Sequence, residues 1–140
     1  MFNNIMVPVD LAHLDTLEPA LSVVADMAKQ YDARITYVGV TANAPTSVAR
    51  TPQEYEQKLE AFAQDRHNVH GQPVSTKVYS STDPIANVDD LLVKATKETG
   101  ADLVMMATHL PSHLDAVMPS HGGKVATHTD VSVFLIRLTH

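Results

Sequence analysis

The side chains able to do chemistry gather in a few short stretches. Asp10 closes the apolar run Ile5-Met6-Val7-Pro8-Val9 and offers an acceptor-only carboxylate. His109, His113 and His121 lie in one stretch with Pro111 and Pro119, between Ala107-Thr108 and Gly122-Gly123. Imidazoles so grouped are candidate zinc or nickel ligands. His109 and His113 would share a face only on a helix, however, and Pro111 between them opposes one. A loop metal sensor is therefore the lowest-ranked reading, and no metal ligand is assigned. Ser112, Ser120, His109 and Asp115 supply the residue types of a nucleophilic triad, but no GxSxG elbow positions them and no catalytic base stands out. A committed enzyme is not expected, and no catalytic residue is named. Ser120, His121, Gly122 and Gly123 open an expected short helix, whose free N–H groups and positive dipole end suit an anion. Neither GxxxxGK[ST] nor GxGxxG occurs in the places where phosphate-binding loops need them.

The chain that must position these groups has 140 residues, 44% hydrophobic and 19% charged, which fits one domain over 1–140 with a single core. Ten basic against sixteen acidic residues give a net charge of −6 with no basic cluster, which disfavours nucleic acid and anionic membranes as partners. The longest apolar runs fall far short of the roughly 20 residues that span a bilayer, so membrane insertion is not expected. The start, Met1-Phe2-Asn3-Asn4-Ile5, lacks a basic segment followed by a long apolar one, and a cytoplasmic location is the expectation. The absence of cysteine is compatible with it.

Periodicity predicts alternating strands and helices. A strand over 5–10 is followed by a helix capped by Thr16 or Asp15, with Pro19 in its first turn and an apolar stripe of Leu17, Leu21, Val24, Ala28 and Tyr31. A strand over 33–40 leads through a loop to a helix from Thr51-Pro52-Gln53-Glu54, which has the capping-box pattern, to about His70. The stripe of that helix, Tyr55, Leu59, Phe62 and Val69, is thin, so it should be the most solvated. Residues 74–79 alternate like an edge strand. Asp83-Pro84 opens a third helix that Gly100 stops, 101–107 is the fourth strand, about 120–128 the last helix and 131–138 the last strand. Strict β-α alternation implies a parallel sheet with helices on both faces and right-handed crossovers. In such a sheet ligands bind beyond the carboxyl ends of the strands, where strand order reverses. If the first and fourth strands adjoin, Val9-Asp10, Val40-Thr41, Ala107-Thr108-His109 and Ser120 to Gly123 converge there. Met106 is expected in the sheet core, at the end of which it can touch a purine, and Lys124 and His128 are read as a solvent-facing cation and a helix-end cap.

The opening Ile5-Met6-Val7-Pro8-Val9-Asp10, the run Met106-Ala107-Thr108-His109 and the ending His128-Thr129-Asp130-Val131-Ser132-Val133-Phe134-Leu135-Ile136-Arg137 together resemble the universal stress protein family over the whole chain. The resemblance implies an open five-stranded parallel sheet of order 3-2-1-4-5 and an adenine-nucleotide site. By the same resemblance, Asp10 with Pro8 and Val9 beside it would hold adenine, and Val40 would pack nearby. The family's G-x2-G-x9-G-[S/T] loop is not kept: Ala107 and Leu110 stand at its first two glycines, and the third falls on Pro119 or Ser120. The Ala-Thr-His form of the first element is similar to a sub-branch with Ala-Ser-His. The implied protein is a stress-response regulator that binds ATP or AMP, with or without Mg2+, and is at most a slow ATPase. It would form a homodimer through the last strand, with Val131 first and Leu138 last, and signal to a regulatory protein partner. The alternative is a nucleotide-free member acting through dimer and protein contacts alone.

Overall fold

The computed structural model describes residues 1–109 and 121–138. Along them run β1 (Asn4–Pro8), a 3-10 turn (Leu11–His13), α1 (Leu14–Tyr31), β2 (Arg34–Ala42), α2 (Pro52–His70), β3 (Val74–Ser81), α3 (Pro84–Glu98), β4 (Leu103–His109), α4 (His121–His128) and β5 (Ser132–Leu138). The strands form one sheet in the expected order, β3-β2-β1-β4-β5, and each neighbouring pair is parallel.

Both faces of this sheet are covered, and strand alternation decides which residue goes where. Ile5, Val7, Ile35, Tyr37, Leu103 and Met105 point to one face, against Leu21 and Val24 of α1 and Leu59 of α2. Met6, Val38, Val104 and Met106 point to the other, against Leu92 and Ala95 of α3 and Val125 of α4. β1 lies at the centre with Ile5, Met6 and Val7 all buried, which explains its unbroken apolar run. β3 is an edge strand, as its alternation predicts, and carries the exposed Lys77 that discourages pairing with another chain.

Local chemistry sets the helix ends. Thr51 caps α2 by accepting the Glu54 N–H at 3.1 Å, and Glu54 reaches back to accept the Arg50 N–H at 3.2 Å. Asp83 caps α3 through the Ala86 N–H at 3.2 Å, with Pro84 in the first turn. At the amino edge the Asp102 carboxylate accepts the N–H groups of Asn3 at 2.8 Å and Asn4 at 3.1 Å. Asn4 donates to the Thr99 carbonyl and accepts from the Thr36 hydroxyl, so β1 is pinned to both of its neighbours.

Several boundaries differ from the sequence reading. β1 ends at Pro8 rather than Asp10, because Asp10 turns its carboxylate to the Ala12 N–H and starts the 3-10 turn. α1 then continues from that turn at Leu14, so neither Thr16 nor Asp15 caps it, and Pro19 stands inside the helix rather than in its first turn. β2 starts one residue later and ends two later than expected, β3 runs two residues longer, and β4 starts and ends two residues later. Tyr31 is 39% exposed and packs edge-on against Phe2 instead of joining the α1 core stripe. Val69 is 67% exposed, and Ala63 and His70 take the buried positions towards the end of α2.

Candidate functional site

The carboxyl ends of β1, β2 and β4 open into a cleft of about 600 Å³, at the point where the sheet order reverses between β1 and β4. Its floor is Pro8 at the end of β1 and Val9 just after it, Val38 and Val40 of β2, and Met106 and Ala107 of β4. One wall is the first half of α3, where Ile85, Val88 and Leu92 recur at helical spacing, and Leu138 closes the β5 side. Most of these walls are apolar. Val38, Leu92 and Met106 are buried, whereas Ile85 stands out at the rim, 74% exposed.

Among the described residues, the polar side chains at the cleft come from one short stretch, Asp10, His13 and Thr16. Asp10 Oδ1 accepts the Ala12 N–H at 2.9 Å, and Oδ2 lies 2.8 Å from His13 Nδ1, which therefore carries the proton of that bond. The carboxylate keeps further lone pairs free and is largely exposed, so it can still accept from an amine or hydroxyl in the cleft. Thr16 donates its hydroxyl to the His13 carbonyl at 2.9 Å, which ties the turn to α1.

A second residue supports this turn from beneath. Tyr55, buried on α2, accepts the Leu11 N–H on its hydroxyl at 3.4 Å. Burial raises the pKa of that hydroxyl above the ordinary tyrosine value; the Leu11 N–H opposes the shift and the Asp10 charge adds to it. The ring closely approaches β2 at Gly39, where an added Cβ would meet Tyr55 Cε1 at 2.6 Å. Gly39 is thus required by close approach, and through Tyr55 it is linked to the turn that carries Asp10 and His13.

Of the residues singled out from sequence, Pro8, Val9, Asp10, Val40, Met106 and Ala107 line the one cleft. His109 ends β4 in register with Leu138, and His121 and Gly122 open α4, whose amino end follows β4 and so lies at the same edge of the sheet. Leu110 and Ser120 lie outside the described residues, as do His113 and both prolines of that stretch. Lys124 is not a free cation: its Nζ lies 3.7 Å from an Asp89 carboxylate oxygen of α3. His128 donates to the Lys124 carbonyl at 2.8 Å and caps α4 as expected. Among the described residues no three His, Cys, Asp or Glu side chains group so as to hold a metal, and no described helix is long and apolar enough to cross a membrane.

The sequence reading missed His13, Thr16, the α3 wall and Leu138. The Asp10-x-x-His13 spacing was a usable signal, because three residues after a strand end a short turn brings such a pair together. Nothing local in the sequence shows that Ile85 of α3 rises above the sheet edge. A second depression, of about 420 Å³, lies at the opposite edge between Lys97, Asp102 and Asp130. There the Asp102 carboxylate is already engaged by two main-chain N–H groups, which leaves that hollow a weaker candidate.

Comparison with solved structures finds the same fold repeatedly. A universal stress protein in complex with cAMP is 18% identical with a TM-score of 0.73, over 99% of this chain and 98% of that one. A universal stress protein from Archaeoglobus fulgidus in complex with dAMP is 16% identical with a TM-score of 0.65, over 96% and 97%. A family protein from Arabidopsis thaliana with AMP bound is 14% identical with a TM-score of 0.63, over 98% and 92%. At these identities the likeness establishes the fold. The model of the universal stress protein family matches residues 1–137, which takes in the whole sheet but for the last residue of β5, and the chain therefore belongs to the universal stress protein family.

Proposed function

We propose that this protein is a cytoplasmic stress-response regulator that binds an adenine nucleotide, ATP or AMP, in the cleft beyond β1 and β4, without being a committed enzyme and with at most slow ATP hydrolysis. The observation that carries the reading is the exposed Asp10 carboxylate at the mouth of an apolar cleft large enough for a purine nucleoside. A carboxylate accepts from the exocyclic amino group of adenine and repels the carbonyl oxygen that guanine has there, while Val38, Val40 and Met106 offer flat apolar contact to the ring. The relatives bound to cAMP, dAMP and AMP support the ligand class by analogy. Mg2+ would accompany ATP through its phosphates.

The same reading includes a homodimer through β5 and a regulatory protein partner. β5 forms the second edge of the sheet, and Phe134 on it is 38% exposed, which favours a covering chain.

The test is calorimetric titration of AMP and ATP into protein shown nucleotide-free by absorbance. A hydrogen bond to a charged group contributes about 1.5–3 kcal/mol, so Asp10→Asn should weaken adenine binding by about tenfold or more. Unchanged affinity in a folded Asp10→Asn variant would refute the assignment of Asp10. No binding by the wild type would leave the nucleotide-free alternative, acting through protein contacts.

A further inference from the structure

Tyr55 is 4% exposed and packs against β2 at Gly39, on the opposite face of that strand from Val38 and Val40 of the cleft floor. A phenylalanine ring would fill the same space, so the hydroxyl is not there for packing. A buried hydroxyl needs a hydrogen-bond partner, and this one has the main-chain N–H of Leu11, the first residue of the 3-10 turn, at 3.4 Å. Tyr55 itself is well anchored. Its own N–H goes to the Thr51 carbonyl at 3.1 Å, and the paired caps of Thr51 and Glu54 fix that end of α2.

The turn that Tyr55 reaches lies just past the end of the β1–β2 ladder, where the Val9 N–H meets the Val38 carbonyl at 2.9 Å. Inside the turn the bonds are local. Ala12 N–H and His13 Nδ1–H go to the two Asp10 oxygens, His13 N–H goes to the Asp10 carbonyl at 3.0 Å, and the Thr16 hydroxyl holds the His13 carbonyl. Among the described residues, the Tyr55 hydroxyl is the hydrogen-bond partner that this turn has outside its own stretch, 10–16. Both Asp10 oxygens are aimed by donors of the turn, so the placement of the carboxylate over the cleft floor follows the placement of the turn against β2. A binding group has to be held to about 0.5 Å to keep its hydrogen bond to a ligand. The Asp10 charge is also close enough to the Tyr55 hydroxyl to contribute to its raised pKa, after burial.

We propose that Tyr55 is a positioning residue for the cleft: its hydroxyl, through the Leu11 N–H, holds the turn bearing Asp10 in place against β2, and ligand affinity depends on it. The inference rests on the reading that Asp10 binds an adenine ligand there. Tyr55 is not among the residues that line the cleft, so it acts through the turn and not by touching the ligand. It makes α2, on the opposite face of the sheet from the α3 wall, part of the binding apparatus.

The experiment is calorimetric titration of AMP and ATP into wild type, Tyr55→Phe, Asp10→Asn and the double variant, each shown to be folded by circular dichroism. Tyr55→Phe keeps the ring against Gly39 and should weaken binding by about threefold to tenfold, the range of one neutral hydrogen bond. In the Asp10→Asn background the same change should cost about twofold or less, because the carboxylate it positions is already gone. In ligand-free protein followed by nuclear magnetic resonance, the Leu11 amide should exchange with solvent faster in Tyr55→Phe than in wild type. Affinity unchanged by Tyr55→Phe but reduced by Asp10→Asn overturns the positioning role and leaves the adenine reading in place. An equal loss in both backgrounds overturns it as well, since the hydroxyl would then act on the fold and not through Asp10, and so does a Leu11 amide whose exchange does not change. Failure of the folded wild type to bind either nucleotide removes the adenine reading and this inference with it.

Discussion

Replacing Gly39 with alanine probes the link between the core and the cleft. The new methyl would sit 2.6 Å from Tyr55 Cε1, about 0.8 Å inside the 3.4 Å at which ordinary contact begins. Two ring carbons and the hydroxyl oxygen face that point, and the ring is buried between α2 and β2, so it must move as a body. Overpacking of this kind costs about 1–3 kcal/mol, and alanine recovers roughly 0.5–1 kcal/mol of strand preference over glycine. The expected net loss is about 1–2 kcal/mol in urea unfolding followed by far-ultraviolet circular dichroism, the chain having no tryptophan. Movement of the ring also withdraws the hydroxyl from the Leu11 N–H. The control is Tyr55→Leu, which is destabilising on its own account but removes the obstructing ring edge. Gly39→Ala made in that background should be close to neutral, giving a coupling of about 1 kcal/mol or more. If Gly39→Ala costs as much with leucine at 55 as with tyrosine, the close approach is not what demands glycine.

Two further outcomes are expected. His70 is buried at the end of α2, where its Nδ1 accepts the Gln72 N–H at 3.0 Å and its Nε2 meets the Tyr37 hydroxyl; burial first, then Arg66, His67 and Lys29, hold its pKa below the ordinary histidine value. The folded state therefore binds fewer protons than the unfolded one below about pH 6.5, so stability falls as pH drops through that window. In urea titrations at neutral and mildly acidic pH, wild type should lose more stability than His70→Gln, and equal losses would show that His70 does not contribute. Phe134→Lys places a charge on the exposed edge strand β5 and should convert a β5-paired dimer into monomer in light scattering; an unaltered dimer would place the interface elsewhere.

What could be read from sequence was what is encoded within a few residues. Thr51-Pro52 and Asp83-Pro84 mark helix starts because cap side chain and fixed proline φ act locally, and both appear where expected. The apolar runs of β1 and β4 identify central strands because only a strand covered on both faces needs them. Tyr31 and Val69 fit their helical stripes in spacing but lie at helix ends, beyond the neighbours that would bury them, and spacing carries no information on where a neighbour stops. The cleft follows the same division. Asp10, Val40 and Ala107 were found because strand ends are legible and the switch-point rule gathers them. Ile85 and Leu138 belong to it only because α3 and β5 come to lie beside those ends, which is decided by packing across the whole sheet. The 3-10 turn was missed because the Asp10 carboxylate, by taking the Ala12 N–H, starts a turn that then replaces the expected cap at Asp15 or Thr16.

The bonds that pin β1 at the amino edge also bear on the order in which the chain assembles. Asp102 reaches Asn3 and Asn4 across 99 and 98 positions of sequence. Until the ribosome has delivered β4, β1 has only one of its two neighbours, and closing so long a loop is a slow step. The turn bearing Asp10 hangs from the far end of that same strand. The cleft is thus incomplete in any chain truncated before β4, and a ligand of the kind proposed would distinguish the folded cleft from the incomplete one. Such a ligand binds only the native form and raises apparent stability by mass action, so its abundance in the cell would tune how long the protein persists.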